Sequence, residues 1–296
     1  MRLIHWSEEE WLKARADKIT ATDCAVIMGA SKYKTPMQLW AEKLGLAEPK
    51  EQTEEMKWGL RLERPLIEAF QEETGAVAVK TPKWCLDVAE DKPWQAASLD
   101  ADLKLKDRSE EGILELKTTS ARGEAEWEDG VPLRHIMQVQ HQMAVTGRLF
   151  AVVCALFGGQ RMRWSMVERD QKAIDALTAA EHAFYQRLIK NDPPAINPGE
   201  ENAKILAQVF NRPSDVEVDL GPDLVDVDQR LVAVKEEMKQ LEVEKNLLEN
   251  RLRAAIGNAM SCKLPTGVRY TWKPYSKKEY VVKAQTGRQL RRVGDD

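Results

Sequence analysis

The sequence has no C-x-x-C pair, no H-E-x-x-H, no Walker-type phosphate loop and no G-x-G-x-x-G. Each absence removes a class of function. The four cysteines, Cys24, Cys85, Cys154 and Cys262, lie far apart, which excludes a zinc ribbon and fits reduced thiols in a cytoplasm. His135, His141 and His182 lack zinc-site spacing, and neither ATP nor a dinucleotide is supported without its glycine-rich loop. No apolar run reaches the ~18 residues of a membrane span. The opening stretch, MRLIHWSEEEW, places acids before any apolar core could form, unlike a secretory signal.

What is present is a chain of 296 residues, 43% apolar and 31% charged. That suffices for one large domain, or one domain with an appendage, and for a real core under a heavily solvated surface. The net charge of -4 does not by itself suggest a nucleic-acid partner. The charge is uneven, however: from Lys263 to Arg292 nine Lys/Arg stand against one acid, Glu279.

Local signals predict helices first. Ser7 followed by Glu10 reads as a capping box, and a second helix ends at Gly29. Thr35-Pro36 opens a third, closed by Gly45. A longer helix runs from about Thr53 to Thr74 with Gly75 as its stop, and Pro65 is expected to kink or divide it. Strand-like runs at 76–88, 94–105 and 111–117 suggest an antiparallel meander. A helix over 132–147, an apolar strand LFAVVCALF, a hairpin partner at 161–167 and a helix over 170–190 follow. This order predicts an α/β layer structure with a mixed sheet. A Pro-rich linker is predicted over 193–222. Beyond it, Val227, Leu231, Met238, Leu241, Leu248 and Leu252 fall on a heptad seam, as in a coiled-coil or hairpin arm, with Lys245 as a polar interruption. A small β hairpin with a disordered basic tail completes the 223–296 appendage.

The chemistry centres on EGILELKTTS, Glu111 to Ser120, where strand alternation puts Glu115 and Lys117 on one face. A carboxylate that holds a divalent ion beside an ammonium that orients water suits phosphodiester cleavage. Acid-x-Lys triplets also begin at Glu48, Glu55, Asp102, Asp170 and Glu237, so the pattern alone selects nothing. Its neighbours do. In SLDADL, Asp100 and Asp102 share a strand face that can meet Glu115; Asp100 is the first choice and Asp102 the reserve. Mg²⁺ keeps several waters, so two or three carboxylates suffice, and Mn²⁺ is able to substitute. Glu63 lies beside an apolar helix stripe, where a metal or a salt bridge to Arg61 or Arg64 would balance it. On HIMQVQHQM, His135, Gln138 and Gln142 form one polar stripe able to hold water or a phosphate oxygen.

The order R-x-x-x-I-T-A-T-D, SKYKTPMQLW, G-x-x-x-E, SLDADL, ELKTT and QVQHQM resembles the lambda-exonuclease type of phage recombination nuclease. These are the YqaJ-like viral recombinases of the PD-(D/E)xK superfamily, and the likeness covers about residues 5 to 190. It implies a restriction-endonuclease-like core, a nuclease domain over 1–192, and a cytoplasmic phage or prophage protein in a bacterial host. By that resemblance Asp100, Glu115 and Lys117 match the metal and catalytic triad, and Glu63 and Gln138 the accessory acid and glutamine. Arg15 and Thr22 fall where the family binds a terminal 5′-phosphate. The usual Pro-Asp-Gly turn is here Leu99-Asp100-Ala101, which keeps Asp102 open. The expected activity is a Mg²⁺-dependent 5′→3′ exonuclease on double-stranded DNA ends. The family also implies a ring-shaped homo-trimer and a single-strand annealing partner, with no membrane. Two rivals stay open: an endonuclease of the same fold, and a non-catalytic scaffold that uses the heptad arm.

Overall fold

Most helix boundaries sit where their capping residues place them. The computed structural model describes residues 1–5, 7–47, 52–196, 200–210, 216–276, 290 and 292. Strand β1 (Arg2–Ile4) precedes helix α1 (Glu8–Ala16), where the Ser7 hydroxyl accepts from the Glu10 amide at 3.2 Å. Strand β2 (Ile19–Thr20) runs into α2 (Ala21–Ile27), with Thr20 and Asp23 as a capping box. Thr35 caps α3 (Pro36–Lys43), and Thr53 caps α4 (Glu54–Thr74), which stops at Gly75 with φ 67°. Pro65 does not divide α4, which runs unbroken from Glu54 to Thr74. Just beyond the proline, Leu66, Ile67 and Phe70 are buried on a sheet. At ~1.5–3 kcal/mol each, their burial outweighs the ~3 kcal/mol a helical proline costs.

The following strands do not form one meander. They are β3 (Val77–Lys80), β4 (Cys85–Val88), β5 (Gln95–Ala97), β6 (Ala101–Lys104) and β7 (Glu111–Thr119). Each of the predicted runs 76–88 and 94–105 divides between two sheets. Pro82 has no amide to donate at the first break, and there Thr81 bonds back to the second, its amide donating to the Asp100 carbonyl at 3.1 Å. With β8 (Phe150–Phe157) and β9 (Arg161–Glu168), the main sheet has the order β3-β6-β7-β8-β9. The second sheet has the order β1-β4-β5-β2.

Strand β7 pairs antiparallel with β6 but parallel with β8, while β8 and β9 make the expected hairpin. The parallel pair needs a crossover, supplied by a 3₁₀ segment (Ala121–Trp127) and helix α5 (Leu133–Thr146). Val139 and Met143 of α5 pack on Ile113, Ala151 and Val153. Leu66, Ile67 and Phe70 of α4 pack on Leu114, Leu116 and Val152 on the other face. The central strand is therefore covered on both sides. Helix α6 (Gln171–Lys190) packs against α5.

The stretch predicted as a linker contains helix α7 (Glu200–Val209), and the first compact unit extends through Asn211. Ile205 is buried with Trp40 and Phe184, and buried Asn202 accepts from the Thr35 hydroxyl at 3.0 Å. The prolines flank this helix instead of marking a free segment. The second unit, Arg212–Asp296, holds helix α8 (Asp223–Ile256) and a hairpin of β10 (Ser261–Lys263) and β11 (Arg269–Thr271). Most of the heptad seam of α8 is exposed, from 40% at Leu231 to 64% at Met238, while Leu252 is half-buried. The predicted disordered tail lies outside the described residues, apart from Leu290 and Arg292. Among the described residues no helix is long and apolar enough to cross a membrane, and all four cysteines are free.

A buried charged pair ties α5 and α6 to β5. His141 Nδ1 lies 2.7 Å from Glu181 Oε1, His141 Nε2 lies 3.0 Å from the Ala96 carbonyl, and Gln95 donates to Glu181 at 2.6 Å. Both ring nitrogens face acceptors, so the ring carries both protons. Burial pulls the His141 pKa down, but the Glu181 carboxylate outweighs it and holds the ring above its ordinary value. A raised folded-state pKa stabilises fully below the unfolded value of ~6.5 and ceases to as pH rises through the folded one. Urea unfolding should show Glu181→Gln costing ~3–5 kcal/mol by leaving the imidazolium unpaired. Wild-type stability should fall across that pH window and His141→Gln should lack the slope. The same slope in both would assign it to another group.

Candidate active site

Ile113, Glu115 and Lys117 alternate onto the β7 face beneath α5. Glu115 is 2% exposed, and a buried carboxylate must be met by donors. Its Oε1 accepts from Gln138 Nε2 at 2.6 Å and pairs with the Lys117 ammonium; its Oε2 accepts from Gln142 Nε2 at 2.7 Å. The two glutamines stand one turn apart on α5, so one helix face grips both carboxylate oxygens. Gln142 had a place in the predicted polar stripe but no site role. Its spacing of four from Gln138 was the available signal. Its own Oε1 is buried without a hydrogen-bond partner among the described residues.

Asp100 lies just before β6, across from Glu115 in the register that pairs Ala101 with Leu114. Its Oδ2 accepts from the Leu116 amide at 2.7 Å. Burial, and then the Glu115 charge, push the Asp100 carboxyl well above the ordinary carboxylate range, and Glu63 adds to the effect. Burial would lower the Lys117 pKa, but Glu115 and Asp100 outweigh it and keep the ammonium above its usual value. Nearby, His135 stacks on Trp127 with ring centroids 5.4 Å apart. Burial and the Lys117 charge lower its pKa to about 3, so it is neutral.

Glu63 finds neither predicted salt-bridge partner. It pairs with Lys80 at 2.8 Å, while Arg61 lies over Trp58 and Arg64 pairs with Glu68. Asp102, the reserve metal ligand, is not brought into the group. It shares the strand face, but its carboxylate is held by Arg2 at 2.6 Å and by Arg148, which keep its pKa below the ordinary range against the cost of burial. Arg15 forms no salt bridge with Asp17 or Glu10. Its guanidinium lies 4.3 Å from the Trp11 ring centroid, and burial lowers its pKa. Thr22 is exposed at the start of α2, its hydroxyl 3.5 Å from that of Thr20.

Among the described residues no three His, Cys, Asp or Glu side chains form a ready cluster for a metal. The donor set nonetheless fits a hard divalent cation. Glu115 is buried, Asp100 is half-buried beside it with its carboxyl raised by burial and by that neighbouring charge, and the Lys117 ammonium pairs with Glu115. A cation bound by one or two carboxylates and otherwise by water needs no more protein ligands.

Residues 10–149 match the model of the YqaJ-like viral recombinase domain. Protein YqaJ of Bacillus subtilis strain 168 is 30% identical over 282 residues, which cover 90% of this chain and 84% of that one. Among solved structures, the alkaline exonuclease LHK-Exo of Laribacter hongkongensis is similar, with a TM-score of 0.52 and 25% identity. That match covers 62% of this chain and 94% of LHK-Exo. LHK-Exo in complex with dAMP matches in fold with the same TM-score of 0.52 at 24% identity, over 62% of this chain and 94% of that one. The mixed sheet flanked by helices agrees with the expected PD-(D/E)xK-type fold.

The two aspartates have separable roles. Asp100→Asn should abolish metal-dependent cleavage of linear duplex DNA. Asp102→Asn should retain most of it while lowering the melting temperature, because two arginines lose their carboxylate. The reverse pattern of rates would place the metal ligand at Asp102.

Proposed function

The chain belongs to the YqaJ-like viral recombinase family, and we propose that it is a Mg²⁺-dependent deoxyribonuclease that digests linear double-stranded DNA 5′→3′ and leaves 3′ single-stranded ends. The observation that carries this reading is the grouping of Asp100, Glu115 and Lys117 at the β6–β7 junction, with Glu115 buried and Asp100 half-buried. Asp100 and Glu115 would hold the cation, with Mn²⁺ able to replace Mg²⁺ and Glu63 as an accessory acid. Once bound, such an ion polarises the scissile phosphate and makes a water more acidic. Lys117, paired with Glu115, would orient the attacking water and donate to a phosphate oxygen. Gln138 and Gln142 fix the Glu115 carboxylate in its rotamer. A pure scaffold would have no use for a buried carboxylate with a second acid forced beside it, an arrangement that costs stability unless something neutralises it.

Arg15 and Thr22 suit the terminal 5′-phosphate. A guanidinium that forms no salt bridge among the described residues, although the Asp23 charge acts on it, can meet phosphate oxygens bidentately, and an exposed hydroxyl can donate beside it. Phage-type strand annealing supplies the biological use. The 3′ strand would pass to a single-strand annealing protein, and the nuclease would work as a ring-shaped trimer, as the family resemblance implies.

Digestion of linear and closed circular duplex, with and without Mg²⁺, tests the reading. Linear DNA alone should be degraded, and only with the metal; cutting of the circle would make the protein an endonuclease of the same fold. On linear substrates, 5′-phosphorylated ends should be digested faster than 5′-hydroxyl ends. Arg15→Ala should shrink that preference by slowing the phosphorylated substrate, with little change in melting temperature. An unchanged ratio of the two rates would remove Arg15 from the site.

A further inference from the structure

The second unit carries a feature that cleavage does not use. Strands β10 and β11 form an antiparallel hairpin in which Cys262 pairs with Tyr270 and Lys263 with Arg269. The ladder continues by one bond, from the Trp272 amide to the Met260 carbonyl at 3.0 Å. Alternation therefore sorts the hairpin into two faces. Met260, Cys262, Tyr270 and Trp272 lie on one, and Lys263, Arg269 and Thr271 on the other. The aromatic face is uncovered: Tyr270 is 40% exposed and Trp272 49%. A shallow, open groove of about 510 Å³ lies where the hairpin meets the end of α8, lined by Met260, Trp272, Lys273, Pro274 and Tyr275 among others.

Charge says what covers this face. From Gly257 to Ser276 there are three cations, Lys263, Arg269 and Lys273, and no acid. The basic excess continues to Arg292, in a chain whose net charge is -4. An exposed aromatic pair on one face, with cations and no acid on the other face and at the adjoining Lys273 among the described residues, favours a polyanion with flat apolar units that can cross the hairpin edge. Nucleic acid has that composition. Bases paired inside a duplex are stacked on each other and offer no face to a tyrosine or tryptophan, whereas an unpaired strand does.

We propose that the β10–β11 hairpin is a single-stranded DNA-binding site, with Tyr270 and Trp272 stacking on bases and Lys263, Arg269 and Lys273 meeting phosphates. The inference rests on the proposed DNA substrate, and its ligand is the unpaired strand that digestion leaves. The salt dependence of binding should be steep, since each neutralised phosphate releases a counterion.

The test uses the full chain in EDTA, so that binding is read without hydrolysis. Fluorescence anisotropy of a labelled dT oligomer of about 16 nucleotides is compared with an abasic oligomer of the same length. Wild-type protein should bind the dT oligomer more tightly, because only bases can stack. Tyr270→Ala and Trp272→Ala should each weaken dT binding roughly tenfold and leave abasic binding unaltered, and Trp272→Phe should restore most of the loss. Equal affinity of the wild type for the two oligomers, or dT affinity unaffected in the alanine variants, would overturn the proposal. The oligomer comparison needs no variant, so a hairpin destabilised by substitution does not blunt it. Failure here leaves duplex digestion intact as a separate measurement. Conversely, stacking-dependent binding by a chain that digests no duplex would sink the nuclease reading alone.

Discussion

The site depends on one constraint: a carboxylate at Glu115 is held out of water in the middle of a sheet. Left alone, that charge would be expelled or protonated. Three donors, from Lys117, Gln138 and Gln142, meet its two oxygens. The constraint reaches outward from there. The glutamines face β7 only because α5 crosses over between the parallel strands β7 and β8, and α5 keeps its position through the His141–Glu181 pair and Met143.

The grip on Glu115 is complete for its hydrogen bonds but not for charge. Asp100 sits beside it with a protonation equilibrium shifted toward the neutral acid by burial and by its neighbour. A divalent cation would reverse that shift, because it stabilises both carboxylates at once. Asp102, two residues further along the same strand face, shows the opposite arrangement. Arg2 and Arg148 already supply its counter-charge, and it has nothing to offer a metal.

Much of this was legible in the sequence because it is local. Glu115 and Lys117 follow from strand alternation, Gln138 and Gln142 from helical spacing, and the helix ends from Ser7, Thr35, Thr53 and Gly75. Asp100 is the first choice over Asp102 from its place just after Ser98-Leu99, and the family resemblance agrees while keeping Asp102 open; alternation cannot separate the two, since both share a face. What was not legible is long-range. Asp102 is claimed by Arg2, 100 residues away, and by Arg148, 46 residues away. His141 meets Glu181 across 40 residues. The two strand runs read as one meander because nothing local says that Thr81 will bond across to Asp100 and split both runs between sheets. Helix α7 was masked by the prolines around it, whose density outweighed the weak apolar stripe of Ile205 and Leu206.

The central claim is that Asp100 and Glu115 form a divalent-cation site whose charge the protein leaves unbalanced. Mn²⁺ uptake in the absence of DNA, followed by the electron paramagnetic resonance of the free ion, reads this directly for the wild type and Glu115→Gln. The wild type should take up Mn²⁺, and the variant should bind it more than about tenfold more weakly while keeping its far-ultraviolet circular dichroism. Equal uptake by the two folded proteins would contradict it.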